Sequence, residues 1–222
     1  MPNTKTKLIE ALNKSAQWLN KCNELVDSTS LVSNDRTRVA AALFHLSLEH
    51  SGSIHLLCVN QHFGSAFALL RPQFEAHIRG VWYQRVATDE QLQAFIGDNE
   101  PPRINAMLND IERIPDFSNK ALSSFKEQVW SVLCGFTHGG YSQVSWRLTA
   151  EEITVDFEEA HLVSLIETSC ALSLQSYVAL SVLADSGELA TALMNNHQEI
   201  FGYEGWHNNS SNLTGAENAP SS

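Results

Sequence analysis

The chain has 222 residues, 43% hydrophobic and 18% charged, which gives enough apolar material for a sizeable core and excludes disorder over most of its length. Its formal charge of −11 argues against duplex DNA as a ligand, because Lys and Arg facing phosphates dominate that affinity. The charge is uneven: residues 1–88 carry a net +3 and residues 89–222 a net −14. The arginines Arg36, Arg38, Arg71, Arg79 and Arg85 all fall in the first part, where they form either a local basic patch or ordinary pairs with carboxylates one helical turn away.

Helical periodicity runs through the sequence and predicts an all-α fold, a bundle of about six to eight helices in a single domain over residues 1–204. The first helix spans about Thr4 to Asp27, with Leu8, Leu12, Trp18 and Leu25 on one side. The link DSTSLVSND is rich in turn formers, and Asn34 or Asp35 caps a second helix that runs to Val59. Gly52 lies inside it and is expected to allow a close helix crossing. A third helix extends from near Gly64 to near Ala87, and Thr88 with Gln91 then forms a capping box for a short helix through Phe95. Pro101 and Pro102 mark the start of RINAMLNDIERI, which ends before Pro115. Another helix starts around Ser118 and stops at His138-Gly139-Gly140. QVSWRL and EITVDF alternate around TAEE and predict a short β-hairpin near 143–156. The longest apolar helix runs from Glu158 to Ala184, and a last one covers Glu188 to Ile200. Residues 205–222 read as a disordered tail.

The N-terminal stretch lacks the apolar core of a signal peptide. The uncharged run Thr168–Ala184 is shorter and more hydroxyl-rich than a membrane span of about 20 apolar residues, so a buried helix is expected there and no membrane association. Cys22, Cys58, Cys134 and Cys170 are scattered, without a C-x-x-C, as expected of reduced thiols in a cytoplasmic protein.

The most informative segment is AFALLRPQFEAHIRGVWYQRV, residues 66–86. Arg71, Glu75 and Arg79 follow one another at steps of four and share one stripe of the helix, beside an apolar stripe of Phe67, Leu70, Phe74, Ile78 and Val81. Pro72 stands in the middle. It lacks the N–H that would bond the carbonyl of Ala68, so it should kink the helix and leave that carbonyl seeking another donor. The stripe is therefore either a polar site facing a cleft or an intrahelical ladder worth a few tenths of a kcal/mol per pair. In Thr137-His138-Gly139-Gly140, Gly139 can end a helix in the left-handed conformation. His138 is then both a favourable C-terminal cation and a candidate acid or base. Arg71, Glu75, His77 and His138 are the candidate catalytic residues; Arg79, Gly139 and Gly140 are the candidate ligand-binding ones. No P-loop, G-x-G-x-x-G or G-x-S-x-G is present, so no cofactor is expected. No metal ligands are assigned, although His45 and Glu49, four apart on the second helix, keep a metal-binding bundle enzyme as a further alternative.

The pairing of L-L-R-P-x-F-E, residues 69–75, with a later T-H-G-G, residues 137–140, is similar to a group of uncharacterised bacterial all-helical proteins. Their signature is an L-R-x-x-x-E helix followed by an H-G turn. That group resembles the HEPN (higher eukaryotes and prokaryotes nucleotide-binding) superfamily over about residues 35–185. The resemblance implies a homodimeric bundle, association with toxin–antitoxin, abortive-infection or other phage-defence loci, and, in many members, metal-independent RNase activity. HEPN ribonucleases carry Arg, four to six residues, then His. Arg71 with His77 and Arg38 with His45 have that spacing, Pro72 following the arginine in the first. On this reading Arg71 or Arg79 stabilises a phosphorane, His77 or His138 serves as acid or base, and RNA or a nucleotide is the ligand. The alternative is a non-catalytic interaction module, such as an antitoxin, immunity or sensor protein, whose acidic second half meets a basic protein partner.

Overall fold

The computed structural model describes residues 6–26, 30, 31, 33–148 and 157–202. The described residues form helices joined by short turns, with no strand among them. The helices are α1 (Thr6–Val26), α2 (Asp35–Val59), α3 (Phe63–Arg85), α4 (Asp89–Ile96), α5 (Ile104–Ile111), α6 (Ala121–Thr137), α7 (Tyr141–Ser145), α8 (Glu159–Leu183) and α9 (Gly187–Phe201). A single 3₁₀ turn covers Pro115–Phe117.

Local side-chain chemistry sets several helix starts. Asn34 Oδ1 accepts from the Thr37 N–H at 2.9 Å and begins α2. Thr88 and Gln91 exchange both bonds of the expected capping box at the start of α4, at 2.9 and 3.3 Å. Ser186 caps α9 through the Leu189 N–H at 3.2 Å. The predicted start of α6 shifts: residues 118–120 form a turn that ends with Lys120 at φ 55°, and the helix begins at Ala121.

Helix α3 is the axis of the bundle. It packs against α2, α5, α6 and α8, while α8 packs in addition against α1 and α9. Fourteen of the 23 residues of α3 are buried, which leaves Arg71, Glu75 and Arg79 on its one half-exposed stripe. The close α2–α3 crossing is made at Gly80, not at the expected Gly52. A Cβ on Gly80 would lie 2.5 Å from the Phe44 ring, whereas one on Gly52 would meet nothing within 4 Å. Gly52 is half-exposed and faces no neighbouring backbone.

The α2–α3–α8 junction is lined with small polar residues. Ser169 Oγ donates to Gln73 Oε1 at 2.8 Å, and Gln73 Nε2 donates to the Ser169 carbonyl at 2.9 Å. Trp18 Nε1 of α1 donates to Ser173 Oγ at 2.7 Å. These pairs satisfy groups that burial would otherwise penalise. By length and composition α8 could cross a membrane, yet 61% of its apolar window is buried against its neighbours. Cys22, Cys58 and Cys170 are buried free thiols, and Cys134 is half-exposed.

The hairpin expectation is corrected in its first arm. Residues 143–145 belong to α7, where the N–H groups of Gln143 and Val144 both bond the Gly140 carbonyl, at 3.0 and 3.3 Å. The turn at Gly140 starts a helix that outweighs the alternating pattern. Trp146 then packs edge-on against Phe67 and Phe136 at 5.3 and 5.0 Å. Residues 152–156 of the second arm and the predicted tail, residues 205–222, lie outside the described residues.

Candidate functional site

The site forms where α6 crosses the half-exposed stripe of α3. Pro72 leaves the Ala68 carbonyl without its helical donor, and α3 nevertheless continues as one helix through it. Thr137 Oγ1, at the end of α6, lies 3.3 Å from that carbonyl and 2.8 Å from the Leu133 carbonyl of its own helix. A proline in one helix is thus matched by a threonine in another, which brings the end of α6 beside Arg71.

Four groups converge on Arg71. Its Nε donates to Glu75 Oε1 at 2.8 Å. Its Nη1 lies 2.7 Å from His138 Nε2 and 3.3 Å from Cys134 Sγ. Its guanidinium sits 4.7 Å over the Trp130 ring. A guanidinium can only donate, so His138 Nε2 is the acceptor and the ring proton is on Nδ1. The other oxygen of Glu75 accepts from Arg79 Nη2 at 3.1 Å. The Glu75 side chain retains 16% of its exposure and Arg71 21%, so these ion pairs are shielded more than surface ones. Arg79 Nε is buried without a hydrogen-bond partner.

The end of α6 explains how His138 is held. Its N–H bonds the Cys134 carbonyl at 3.0 Å, Gly139 takes φ +66°, and the Gly140 N–H bonds back to the Gly135 carbonyl at 2.6 Å. This is the helix ending anticipated from T-H-G-G, with the left-handed residue a glycine. Gly139 and Gly140 therefore shape the turn that carries the histidine. His138 itself is exposed.

The structure separates His77 from this group. Arg71 faces α6, whereas His77 faces α8, where its Nδ1 lies 3.0 Å from Ser176 Oγ, and only 2% of the residue is exposed. Burial pushes its pKa down to about 4, so it is a neutral core histidine. The second Arg–His spacing lies apart from this cluster: Arg38 and His45 are both on the exposed face of α2. Among the described residues no three His, Cys, Asp or Glu side chains stand close enough to hold a metal ion, and His45 with Glu49 remains an isolated exposed pair.

Most of the arginines of the first part are held in ion pairs, with Arg71 and Arg79 sharing a single carboxylate. Arg36 pairs with Asp89 at 2.6 Å, Arg71 and Arg79 share Glu75, and Arg85 pairs with Asp116 at 2.8 Å. The residues that sequence reading missed are Lys126, Trp130 and Cys134. With His138 they follow one another at steps of four in FKEQVWSVLCGFTH, the same signal that exposed the α3 stripe. Lys126 Nζ lies 4.6 Å over the Trp130 ring, so this indole is contacted by two cations.

No curated protein matches the chain, and no solved structure does. A family model matches residues 44–203, from the middle of α2 to the end of α9, a stretch that contains the whole Arg71 cluster. The chain belongs to DUF6988, a family of unknown function.

Proposed function

We propose that this chain is a HEPN-like protein of a bacterial defence or toxin–antitoxin system, and that it engages an RNA phosphate at the Arg71–His138 edge. The observation that carries the reading is the 2.7 Å contact between Arg71 Nη1 and His138 Nε2 at a solvent-reached helix crossing, with Glu75 fixing the arginine from the other side. An arginine that can turn from the imidazole to a phosphate oxygen stabilises a phosphorane. The freed Nε2 takes the proton of the attacking 2′-hydroxyl. The 5′-oxygen leaves with a proton from water or from a second copy of the site, leaving a 2′,3′-cyclic phosphate. Two-fold pairing of the chain would bring such a second set close.

The test is growth of cells expressing the intact chain, beside an Arg71→Ala/His138→Ala variant, with total RNA run on a gel. Growth arrest and RNA fragmentation that vanish in the variant, with an unchanged melting temperature, support the reading. Normal growth with intact RNA overturns it.

A second reading, a non-catalytic module that binds another protein, is favoured by one further observation. Tyr141, Val144 and Leu148, just after the His138 turn, are 82%, 46% and 53% exposed, apolar side chains gathered on one short segment. Under that reading the acidic second half would select a basic partner, and capture of that partner would be lost when Tyr141 is changed to Ser.

A further inference from the structure

Helix α3 also lines a recess on a different side from Arg71. A cavity of about 450 Å³ lies between α3, residues 116–122, α8 and α9. Its size falls within the roughly 300–1,000 Å³ typical of small-molecule sites. Val81, Leu122, Leu174, Val178 and Ala179 are among the apolar side chains of its wall. His77 is the buried polar point on that wall, with its Nδ1 engaged by Ser176. Val182 and Met194 also line it, yet they are 54% and 48% exposed. Single exposed apolar residues are ordinary, but these two share one cavity, so they form an apolar rim.

The charge at this cavity comes from Arg85 and Asp116, which pair at 2.8 Å and both line it. Their exposures differ: the Arg85 side chain is 36% exposed and that of Asp116 65%. An exposed pair of this kind contributes little, so exchanging one partner costs little. Asp116, once released, is already largely hydrated. Arg85 is less so and loses more if left alone. The pair therefore favours exchange of Asp116 for an incoming anion over exchange of Arg85 for an incoming cation.

We propose that this cavity binds a small amphiphilic anion, an aliphatic monocarboxylate whose chain lies along Val81, Leu174 and Val178 and whose carboxylate replaces Asp116 on Arg85. The site is separate from the Arg71–His138 edge and does not depend on the function proposed there. Gln84, Gln175 and Asn119 also line the cavity and supply amide groups beside the chain, while neutral His77 adds no competing charge.

The test is calorimetric titration of the intact protein with sodium decanoate and, separately, with decanol. Saturable one-to-one binding of decanoate is expected. Ala179→Trp fills the cavity and should weaken both ligands by at least about tenfold. Arg85→Gln should weaken decanoate by about tenfold and leave decanol unchanged. Thermal melts check that both variants fold, and Val178→Phe replaces Ala179→Trp should that one fail. Absence of saturable binding overturns the proposal, as does binding indifferent to the cavity-filling variant. Equal effects of Arg85→Gln on decanoate and decanol overturn the anionic head group.

Discussion

Thr137 Oγ1 lies 3.3 Å from the carbonyl oxygen of Ala68, which Pro72 deprives of its donor four residues on. The hydroxyl carries one proton and has a second acceptor, the Leu133 carbonyl at 2.8 Å, so the two carbonyls share it. Replacing Thr137 with Val keeps the shape and removes the donor. The expected cost is about 1 kcal/mol, the usual net worth of such a bond. In a Pro72→Ala background the helix supplies its own N–H to Ala68, and the same Thr137→Val change should cost clearly less. A double-mutant cycle read by urea unfolding measures that coupling. A coupling of zero would mean that the proton stays on Leu133.

The two glycines of the α2–α3 pair predict opposite effects for one substitution. Gly80→Ala places a methyl group 2.5 Å from Phe44, against a ring with no exposed surface. Overpacking of this kind costs about 1–3 kcal/mol, and Phe44→Leu should relieve part of it. Gly52→Ala meets nothing within 4 Å and should stabilise by about 0.5–1 kcal/mol through helix propensity. Chemical denaturation of the two variants separates the cases, and a stable Gly80→Ala would show that α2 and α3 can slide apart without loss.

These positions show where sequence reading succeeds and where it stops. The capping of α2 by Asn34 and the Thr88–Gln91 box were legible because each closes within three residues. The Arg71–Glu75–Arg79 stripe was legible for the same reason, one turn per step. The approach of His138 to Arg71 joins residues 67 apart in sequence. It depends on how α6 crosses α3, which side-chain packing sets and no local pattern announces. The departure at residues 143–145 has the opposite origin. Their alternation was real, but Trp146 was drawn into the aromatic cluster with Phe67 and Phe136, and the Gly140 turn seeded a helix. Gly52 and Gly80 look alike in sequence; only the position of Phe44 distinguishes them.

Burial of neutral histidines predicts a loss of stability in mild acid. His77 is held at about 4, against 6.5 for a free imidazole, and His197, packed edge-on against Trp18 at 5.0 Å, is lowered to about 4 as well. Below about pH 6.5 the unfolded chain takes up these protons while the folded one does not, so unfolding is increasingly favoured as pH falls toward 4. For His77, which is 2% exposed, the loss approaches about 3 kcal/mol at the lower end of that window. His77→Gln keeps a polar group toward Ser176 without a titratable ring. The plot of unfolding free energy against pH should be shallower for that variant between pH 6.5 and 4. An unchanged slope would remove His77 as its source.

The end of α3 depends on a side chain from another helix. Arg36 of α2 donates through Nη1 to the carbonyls of Tyr83 and Ala87, at 2.6 and 2.7 Å, and through Nη2 to Asp89 at 2.6 Å. Those carbonyls belong to the last turn of α3 and the linker after it, where helix geometry leaves acceptors open and a cation is favoured. Both residues are buried, at 1% and 5% exposure, so water cannot readily replace the guanidinium. Arg36→Ala should therefore cost about 1–3 kcal/mol, the range for leaving buried acceptors unpaired. Arg36→Lys supplies a charge but not the planar fork that spans two carbonyls and a carboxylate, and should recover only part of the loss. Asp89→Asn removes the exposed third contact alone and should cost a few tenths of a kcal/mol, as its side chain is 88% exposed. Thermal unfolding of the three variants ranks them. Equal losses for Arg36→Ala and Asp89→Asn would place the effect in the ion pair, and a larger loss for Arg36→Ala places it in the capping of α3.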